Sequence, residues 1–300
     1  MASVSDTRQA PLPDAASPLG IVCGSGSLPL AVADAASRHG RRVVMFPLRG
    51  FAGPEVERHP CHWIVLGALG QFFRLLRSER CRDLVFIGGM TRPIFGRFRL
   101  GFHLDWATVR RLPRIARAFR GGDDHLLAGI TRLIEEEGFR VLGAHEVAPE
   151  ILLAEGPLGT RVPGERDRVD IEHGLALLGA TGPFDIGQAA VVAGRHVLAI
   201  EAIEGTDRML ARIVTLRQEG RIRVAAGTGV LVKAPKPQQD RRFDLPTIGP
   251  ETVEAVARAG LAGVAAVAGA VIVAEPQRVA QLAEERGVFV VGIKPTGAPI

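Results

Sequence analysis

The feature that most constrains this chain is an alternation. From residue 19 onward, short apolar runs end on glycine or other small residues and pass into stretches with helical spacing. Residues 19–23 (LGIVC) run into Gly24-Ser25-Gly26-Ser27, and a helix is predicted over 29–39, with Pro29 suited to its first turn. Strands are predicted at 42–48, 63–66 and 84–87, the last ending on Gly88-Gly89, with a helix at 71–79 between the latter two. Apolar runs without in–out alternation are buried on both faces. Strands that alternate with helices form a parallel sheet with helices packed on it. A helix follows Gly121-Gly122-Asp123-Asp124 and runs through 137, with Asp123 as a natural N-cap, and 139–143 closes this half as a strand.

Residues 148–164, with Pro149, Pro157 and Pro163 among their glycines, read as a linker. Beyond them the alternation resumes in mixed order. Helices are predicted at 167–178, 207–218, 250–259 and 276–287, and strands at 188–192, 197–202, 229–233, 263–266, 270–273 and 288–293. A chain of 300 residues is long for one core. The expected fold is therefore α/β: a Rossmann-like N-terminal domain with a parallel sheet over 19–148, and a second, mixed α/β domain over 149–300 that carries the catalysis. Residues 1–18, rich in Ala, Pro, Ser and Asp and lacking a basic start before an apolar run, read as a flexible leader rather than a signal peptide.

Several function classes drop out. There are 3 cysteines, Cys23, Cys61 and Cys81, and no CxxC spacing, which disfavours a disulfide framework or a zinc site and suits a reducing compartment. Cys23 ends an apolar run and reads as a small core residue. No G-x-x-x-x-G-K-[ST], H-E-x-x-H or G-x-S-x-G occurs. The longest apolar stretch, near 261–273, is broken by Gly263 and Gly269 and is too short for a bilayer. Net charge is +5 and uneven: residues 92–120 hold 8 arginines and one acid, Asp105, interleaved with Phe95, Phe98, Phe102, Trp106 and Phe119. Such a stretch is a solvated helix face or a surface that meets anions, and the aromatics favour the second. No helix-turn-helix or RNP-like pattern supports a nucleic-acid partner.

The candidate chemistry gathers where strands end. Gly24-Ser25-Gly26-Ser27 would let backbone N–H groups and a helix N-terminus face an anion, or would simply make a tight turn. It is a poor dinucleotide fingerprint, because Pro29 stands at the third glycine position and the second strand ends without an acid. Gly88, Thr91 and Arg92 follow another strand, at the sheet edge where ligands bind in open α/β folds, and Arg92 could fork onto phosphate. Asp123 and Asp124 are neighbours that cannot share a helix face, so at most one would reach a ligand. Gln188 opens a strand. Thr206 suits either a cap or a phosphate contact. Lys233-Ala234-Pro235-Lys236-Pro237 is a stiff segment that could aim two ammonium groups at phosphate. Asp244, set among apolar residues just before Pro246 and Thr247, could be a metal ligand or a base.

Taken together these segments resemble the LpxI-type UDP-2,3-diacylglucosamine pyrophosphatases of lipid A synthesis. The resemblance rests on Gly24-Ser25-Gly26-Ser27-Leu28-Pro29, Thr91-Arg92-Pro93, Gly122-Asp123-Asp124, Gly143-Ala144-His145, Asp185-Ile186-Gly187-Gln188, Glu201-Ala202, Glu204-Gly205-Thr206-Asp207, Lys233-Ala234-Pro235-Lys236-Pro237 and Asp244-Leu245-Pro246-Thr247-Ile248-Gly249, in that order. It implies hydrolysis of UDP-2,3-diacylglucosamine to UMP and 2,3-diacylglucosamine 1-phosphate. It also implies a divalent metal, magnesium being the expected ion, and a lipid-sugar held between two domains. The family's essential aspartate matches Asp244. Ser25 stands where the family usually has a middle glycine, and Ile94 where an acid often follows the Arg-Pro pair.

The expected catalytic set is Asp244, Lys233, Lys236 and Thr206, with Asp244 also on the metal. The expected substrate contacts are Gly24, Ser25, Gly26, Ser27, Gly88, Thr91, Arg92, Asp123, Asp124, Gln188 and Thr247. A substrate drawn from a membrane fits the arginine-rich stretch and a cytoplasmic protein peripheral to the inner face of the membrane; a homodimer is compatible with the sequence. Two other classes compete: an NADP oxidoreductase with Arg49 on the 2′-phosphate, and a non-catalytic nucleotide- or lipid-binding module. Absorbance change on adding NADP(H) separates out the first, and release of UMP the second.

Overall fold

The computed structural model describes residues 17–89, 108, 123–184, 186–236 and 240–294, with the backbone alone for 123–128. Thr91, Arg92 and nearly all of the arginine-rich stretch lie outside the described residues, as do the first sixteen residues, Asp185 and Pro237.

The N-terminal half is a parallel sheet with helices on both faces. Its elements are β1 (Leu19–Cys23), α1 (Leu28–Arg38), β2 (Val43–Pro47), α2 (Leu69–Ser78), β3 (Asp83–Ile87), α3 (Asp123–Glu136) and β4 (Arg140–Leu142). The strand order is β2-β1-β3-β4, all parallel. Residues of β1 alternate between two cores. Leu19, Ile21 and Cys23 pack with Leu30, Val32 and Ala36 of α1, while Val22 packs with Phe72, Phe73 and Leu76 of α2. Two buried faces explain why no in–out polarity shows in the sequence. At the strand-starting edge, buried Asp83 accepts hydrogen bonds from Arg41 and from Arg140 Nε and Nη2, at 2.7 and 2.9 Å from the latter.

Residues 63–66 do not form a strand. The chain runs beside β2 through isolated bridges, Met45–Cys61 and Leu48–Ile64. Met45 N and Arg49 N donate to Pro60 O and Ile64 O. The donor that would join them belongs to Pro47, which has no N–H, so the ladder breaks there. Asp123 is the first residue of α3 rather than the residue capping it.

The stretch expected as a linker is structured. A short helix α4 (Ala144–Val147) is followed by a 3-10 turn at Pro149–Ile151 and by β5 (Gly156–Pro157), an antiparallel edge strand of the second sheet. Ile151 belongs to the first core and Leu153 to the second, so the chain changes cores within two residues.

The C-terminal half contains α5 (Glu165–Thr181), β6 (Ala189–Ala193), β7 (His196–Ile200), α6 (Gly205–Gln218), β8 (Val230–Lys233), β9 (Thr247–Ile248), α7 (Pro250–Arg258), β10 (Gly263–Val267), β11 (Ile272–Val273), α8 (Pro276–Arg286) and β12 (Phe289–Ile293). Six strands run in the order β5-β12-β10-β8-β6-β7, with β8, β10 and β12 parallel and the rest antiparallel to their neighbours. Val264 and Ala266 of β10 face one core, shared with α6, α7 and α8; Ala265 and Val267 face the other, covered by α5. The remaining pair, β9 and β11, forms a separate two-stranded ladder. No helix of the described residues is long and apolar enough to cross a membrane.

Candidate functional site

In the first sheet the strand order reverses between β1 and β3. Open α/β sheets bind ligands outside the carboxyl ends of strands at such a point. Here that place is made by Gly24–Ser27 after β1 and Gly88–Gly89 after β3. The two loops are bonded to each other: Ser25 N donates to Gly89 O at 2.9 Å, Gly89 N to Ser25 O at 2.8 Å, and Ser25 Oγ to Gly89 O at 3.1 Å. A Cβ on Gly24 would lie 2.2 Å from Gly89 O, so only glycine allows this approach. Ser25, Gly26, Ser27, Gly88 and Gly89 are exposed at the rim. The structure thus brings Gly24, Ser25, Gly26, Ser27 and Gly88 to one edge. Asp123 and Asp124 open α3.

The second sheet gathers its polar groups at the matching edge. β6 runs against β8, so Gln188 and Ala189 lie beside Lys233, and Glu201, just past the end of β7, donates its N–H to Ala189 O. Four expected residues and one unexpected one meet there. Lys233 is 5% exposed; its Nζ donates to Thr206 Oγ1 at 3.2 Å and to Thr247 O at 2.9 Å. Thr206 donates in turn to Glu201 Oε1 at 2.9 Å, while Glu201 Oε2 accepts from Gln188 N at 3.1 Å. The side-chain Oε1 of Gln188 is buried without a partner.

This geometry revises two expectations. Lys233 is enclosed, with two donors bonded inside the protein, so it is not a side chain reaching into open space. Thr206 is not a cap: Glu204 occupies the cap position, and Thr206 sits in the first turn of α6. Burial pushes the Lys233 ammonium down from its ordinary range, while Glu201, Asp207 and Asp244 push it back up.

Asp244 is half-buried in the loop between β8 and β9. Its N–H bonds Asp240 O at 3.3 Å, and Arg242 braces the turn by donating to Asp240 from Nε at 3.0 Å and from Nη2 at 2.7 Å. That pairing holds the Asp240 carboxyl below the usual carboxylate range. Lys236 is half-buried at the start of the same loop. The loop leans on the N-terminal half, with the Phe243 and Phe86 rings 5.5 Å apart and Arg242 Nη1 3.2 Å from Glu135 Oε1.

The two edges meet. Leu245 and Ile272 insert into the core of the first half. Ser27 Oγ donates to Glu275 Oε1 at 2.8 Å, and Glu275 adopts a left-handed backbone, φ 54°, in front of α8. His145, just past β4, keeps a buried Nδ1 without a partner. Burial first, and Arg241 second, hold its pKa below the ordinary histidine value. Glu201, His145 and Glu275 carried no individual role in the sequence reading. The signals were, for Glu201, an acid in the run predicted as a strand over 197–202 and its place in the Glu201-Ala202 match, and for His145 its place in the Gly143-Ala144-His145 match; Glu275 had none beyond residue type.

Among the described residues no three His, Cys, Asp or Glu side chains converge as a metal cage. Magnesium is commonly held by one or two carboxylates together with substrate phosphates, and the half-buried Asp244 carboxylate is of the type that could hold it. A cavity of about 440 Å³ lies at the opposite, strand-starting edge of the second sheet, between Arg161 and Phe289, away from these groups.

Comparison with known proteins gives three matches. A family model described as the LpxI N-terminal domain matches residues 18–151, and one described as the LpxI C-terminal domain matches residues 154–291. A curated relative from Caulobacter vibrioides, named UDP-2,3-diacylglucosamine pyrophosphatase LpxI, is 41% identical over 281 residues, covering 94% of this chain and 99% of the relative.

Proposed function

We propose that this chain, which belongs to the LpxI family, cleaves the pyrophosphate of UDP-2,3-diacylglucosamine in lipid A synthesis, releasing UMP and 2,3-diacylglucosamine 1-phosphate. The observation that carries the reading is the pairing of edges. A buried ammonium, Lys233, stands at a strand end of one half with a half-buried carboxylate, Asp244, in the loop that follows, and the Gly24–Ser27 loop stands at the strand ends of the other. A diphosphate is doubly anionic and needs cations and N–H donors on more than one side.

In the reaction a water oxygen bonds to one phosphorus, the bridging P–O bond breaks, and the bridging oxygen leaves on the other phosphate. Water is a poor nucleophile against an anion, so the site must orient it and offset the charge that develops. Asp244 is the group to orient the water or hold the metal. Lys233, enclosed and bonded to Thr206 and Thr247, contributes as a fixed positive charge; Lys236, half-buried at the start of the loop that carries Asp244, is the lysine assigned to direct phosphate contact. The exposed Gly26 and Ser27, at the start of α1, suit a phosphate or ribose oxygen. Magnesium, when bound, would supply charge neutralisation and a more acidic water, with Asp244 as its protein ligand. The arginine-rich stretch of residues 92–120 supports a cytoplasmic protein that meets the inner face of the membrane, where a diacylated substrate resides.

The test is incubation with UDP-2,3-diacylglucosamine and magnesium in ¹⁸O water. UMP should appear, and the label should reside in one product only, which identifies the phosphorus attacked. No UMP overturns the reading. An unchanged rate in excess EDTA removes the metal from it.

A further inference from the structure

We infer that Glu201 is a positioning residue for this hydrolysis: it fixes the direction of a hydrogen-bond chain that runs from Lys233 through Thr206, and so sets where the buried ammonium points. The inference rests on the pyrophosphatase reading of the same edge.

Each link has only one possible direction. The Gln188 backbone N–H can only donate, and an ionised Glu201 can only accept, so Oε2 is committed at 3.1 Å. Thr206 has one hydroxyl proton, and it goes to Glu201 Oε1 at 2.9 Å. Its oxygen is thereby left as an acceptor, which is what Lys233 Nζ needs at 3.2 Å. With Thr247 O taking a second ammonium proton at 2.9 Å, the tetrahedral head of Lys233 has its orientation set. Glu201 itself is held: it is 8% exposed, and a Cβ on Gly187 would come within 2.5 Å of its carbonyl oxygen and 2.7 Å of its Cβ. Its negative charge is the first of the carboxylates that oppose the burial penalty on Lys233. A buried carboxylate with both oxygens committed and a cation two bonds away is an expensive arrangement for a simple loop corner.

Glu201→Gln tests this with little change of shape. If the amide oxygen faces Thr206, the amide nitrogen confronts the Gln188 N–H, donor against donor. If the amide flips, its nitrogen donates to Thr206, whose oxygen must then serve two donors while its own proton turns elsewhere. The first orientation keeps the direction but sets two donors face to face; the second reverses the Thr206 link; neither reproduces the native arrangement. The kcat for UMP release should fall by about 10–100-fold, the range for partners that orient an active-site group, while KM for the UDP-lipid stays within about threefold.

The decisive arm is a double-mutant cycle with Thr206→Val. Because Glu201 acts through Thr206, adding Glu201→Gln to that variant should lower kcat by no more than about twofold further. A role confined to bracing the loop would instead multiply the two losses. Glu201→Asp keeps the charge and should recover part of kcat; it also serves in the cycle if the glutamine variant fails to give native far-UV circular dichroism. Wild-type kcat in Glu201→Gln, or fully multiplicative losses in the cycle, overturns the inference while leaving the pyrophosphatase reading intact. A wild-type protein that releases no UMP overturns that reading, and this inference with it.

Discussion

Lys233 shows the conflict that this site resolves. An ammonium with 5% exposure has lost its water, and what replaces it is a threonine oxygen, a backbone carbonyl and three carboxylates close enough to favour its charge. Asp244 is the member of that group which the functional reading places at the substrate. Asp244→Asn should therefore fold and bind the UDP-lipid, yet lose about 100-fold or more in kcat, the scale of removing a group that acts on developing charge. Circular dichroism and steady-state UMP release measure both halves of the statement, and a wild-type rate with magnesium present would take Asp244 out of the mechanism. Elsewhere burial is the largest cause. It pushes the Cys23 thiol up to about 12 and Cys81 to about 11, consistent with core thiols. It pushes His145 the other way, below the ordinary value near 6.5. The sign follows: as pH falls, the unfolded chain takes up the His145 proton before the folded one does, so stability present above the unfolded pKa declines as pH drops towards the lower folded one. The urea midpoint should consequently fall less between pH 7.5 and pH 5.5 in His145→Gln than in the wild type; equal falls would show that His145 does not contribute.

At the scale of elements, the informative piece is the β6–β7 hairpin. Its two turn residues, Gly194 and Arg195, have φ of 57° and 65°, the positive values of a type I′ turn. Arginine is an uncomfortable residue there. The turn is held from outside by Asp170 of α5, 3% exposed, whose oxygens accept from Gly194 N at 2.9 Å and Arg195 N at 2.6 Å. One carboxylate thus ties α5 to the sheet and sets the hairpin that delivers Glu201 to the site. Asp170→Ala leaves two N–H groups without partners and should cost about 2–4 kcal/mol. Urea denaturation would measure it, and Asp170→Asn, which keeps one acceptor, should lose less. A loss under about 0.5 kcal/mol, the level of an ordinary surface change, would show that the turn holds itself.

At the scale of the whole molecule, Leu245 and Ile272 of the second half pack in the core of the first, and Ser27 reaches Glu275 across the junction. The proposed site therefore draws on two sheets that do not pair with each other. The arginine-rich stretch has its consequence at this scale too. Reversing Arg97, Arg99, Arg110 and Arg111 to glutamate changes net charge by −8, and association with vesicles rich in anionic lipid should weaken by at least about tenfold at low salt. Sedimentation with such vesicles measures this, and unchanged binding, or no binding by the wild type, would overturn the membrane reading of this stretch. Apolar runs and their glycine endings determined most of the strands, the layered α/β character and the strand-end placement of the Gly24 loop and Lys233, because burial on both faces and tight turns are written in local composition. The resemblance in motif order carried the family. Local sequence could not show that β6 and β7 form an antiparallel hairpin, that residues 148–164 thread from one core to the other, that Pro47 interrupts the ladder beside β2, or that Lys233 is enclosed. Each of those depends on what stands opposite a residue in space. Glu201 is the sharpest case: Gln188 and Thr206, which bond it, and Lys233, which bonds Thr206, come from three segments that only the assembled sheet brings together.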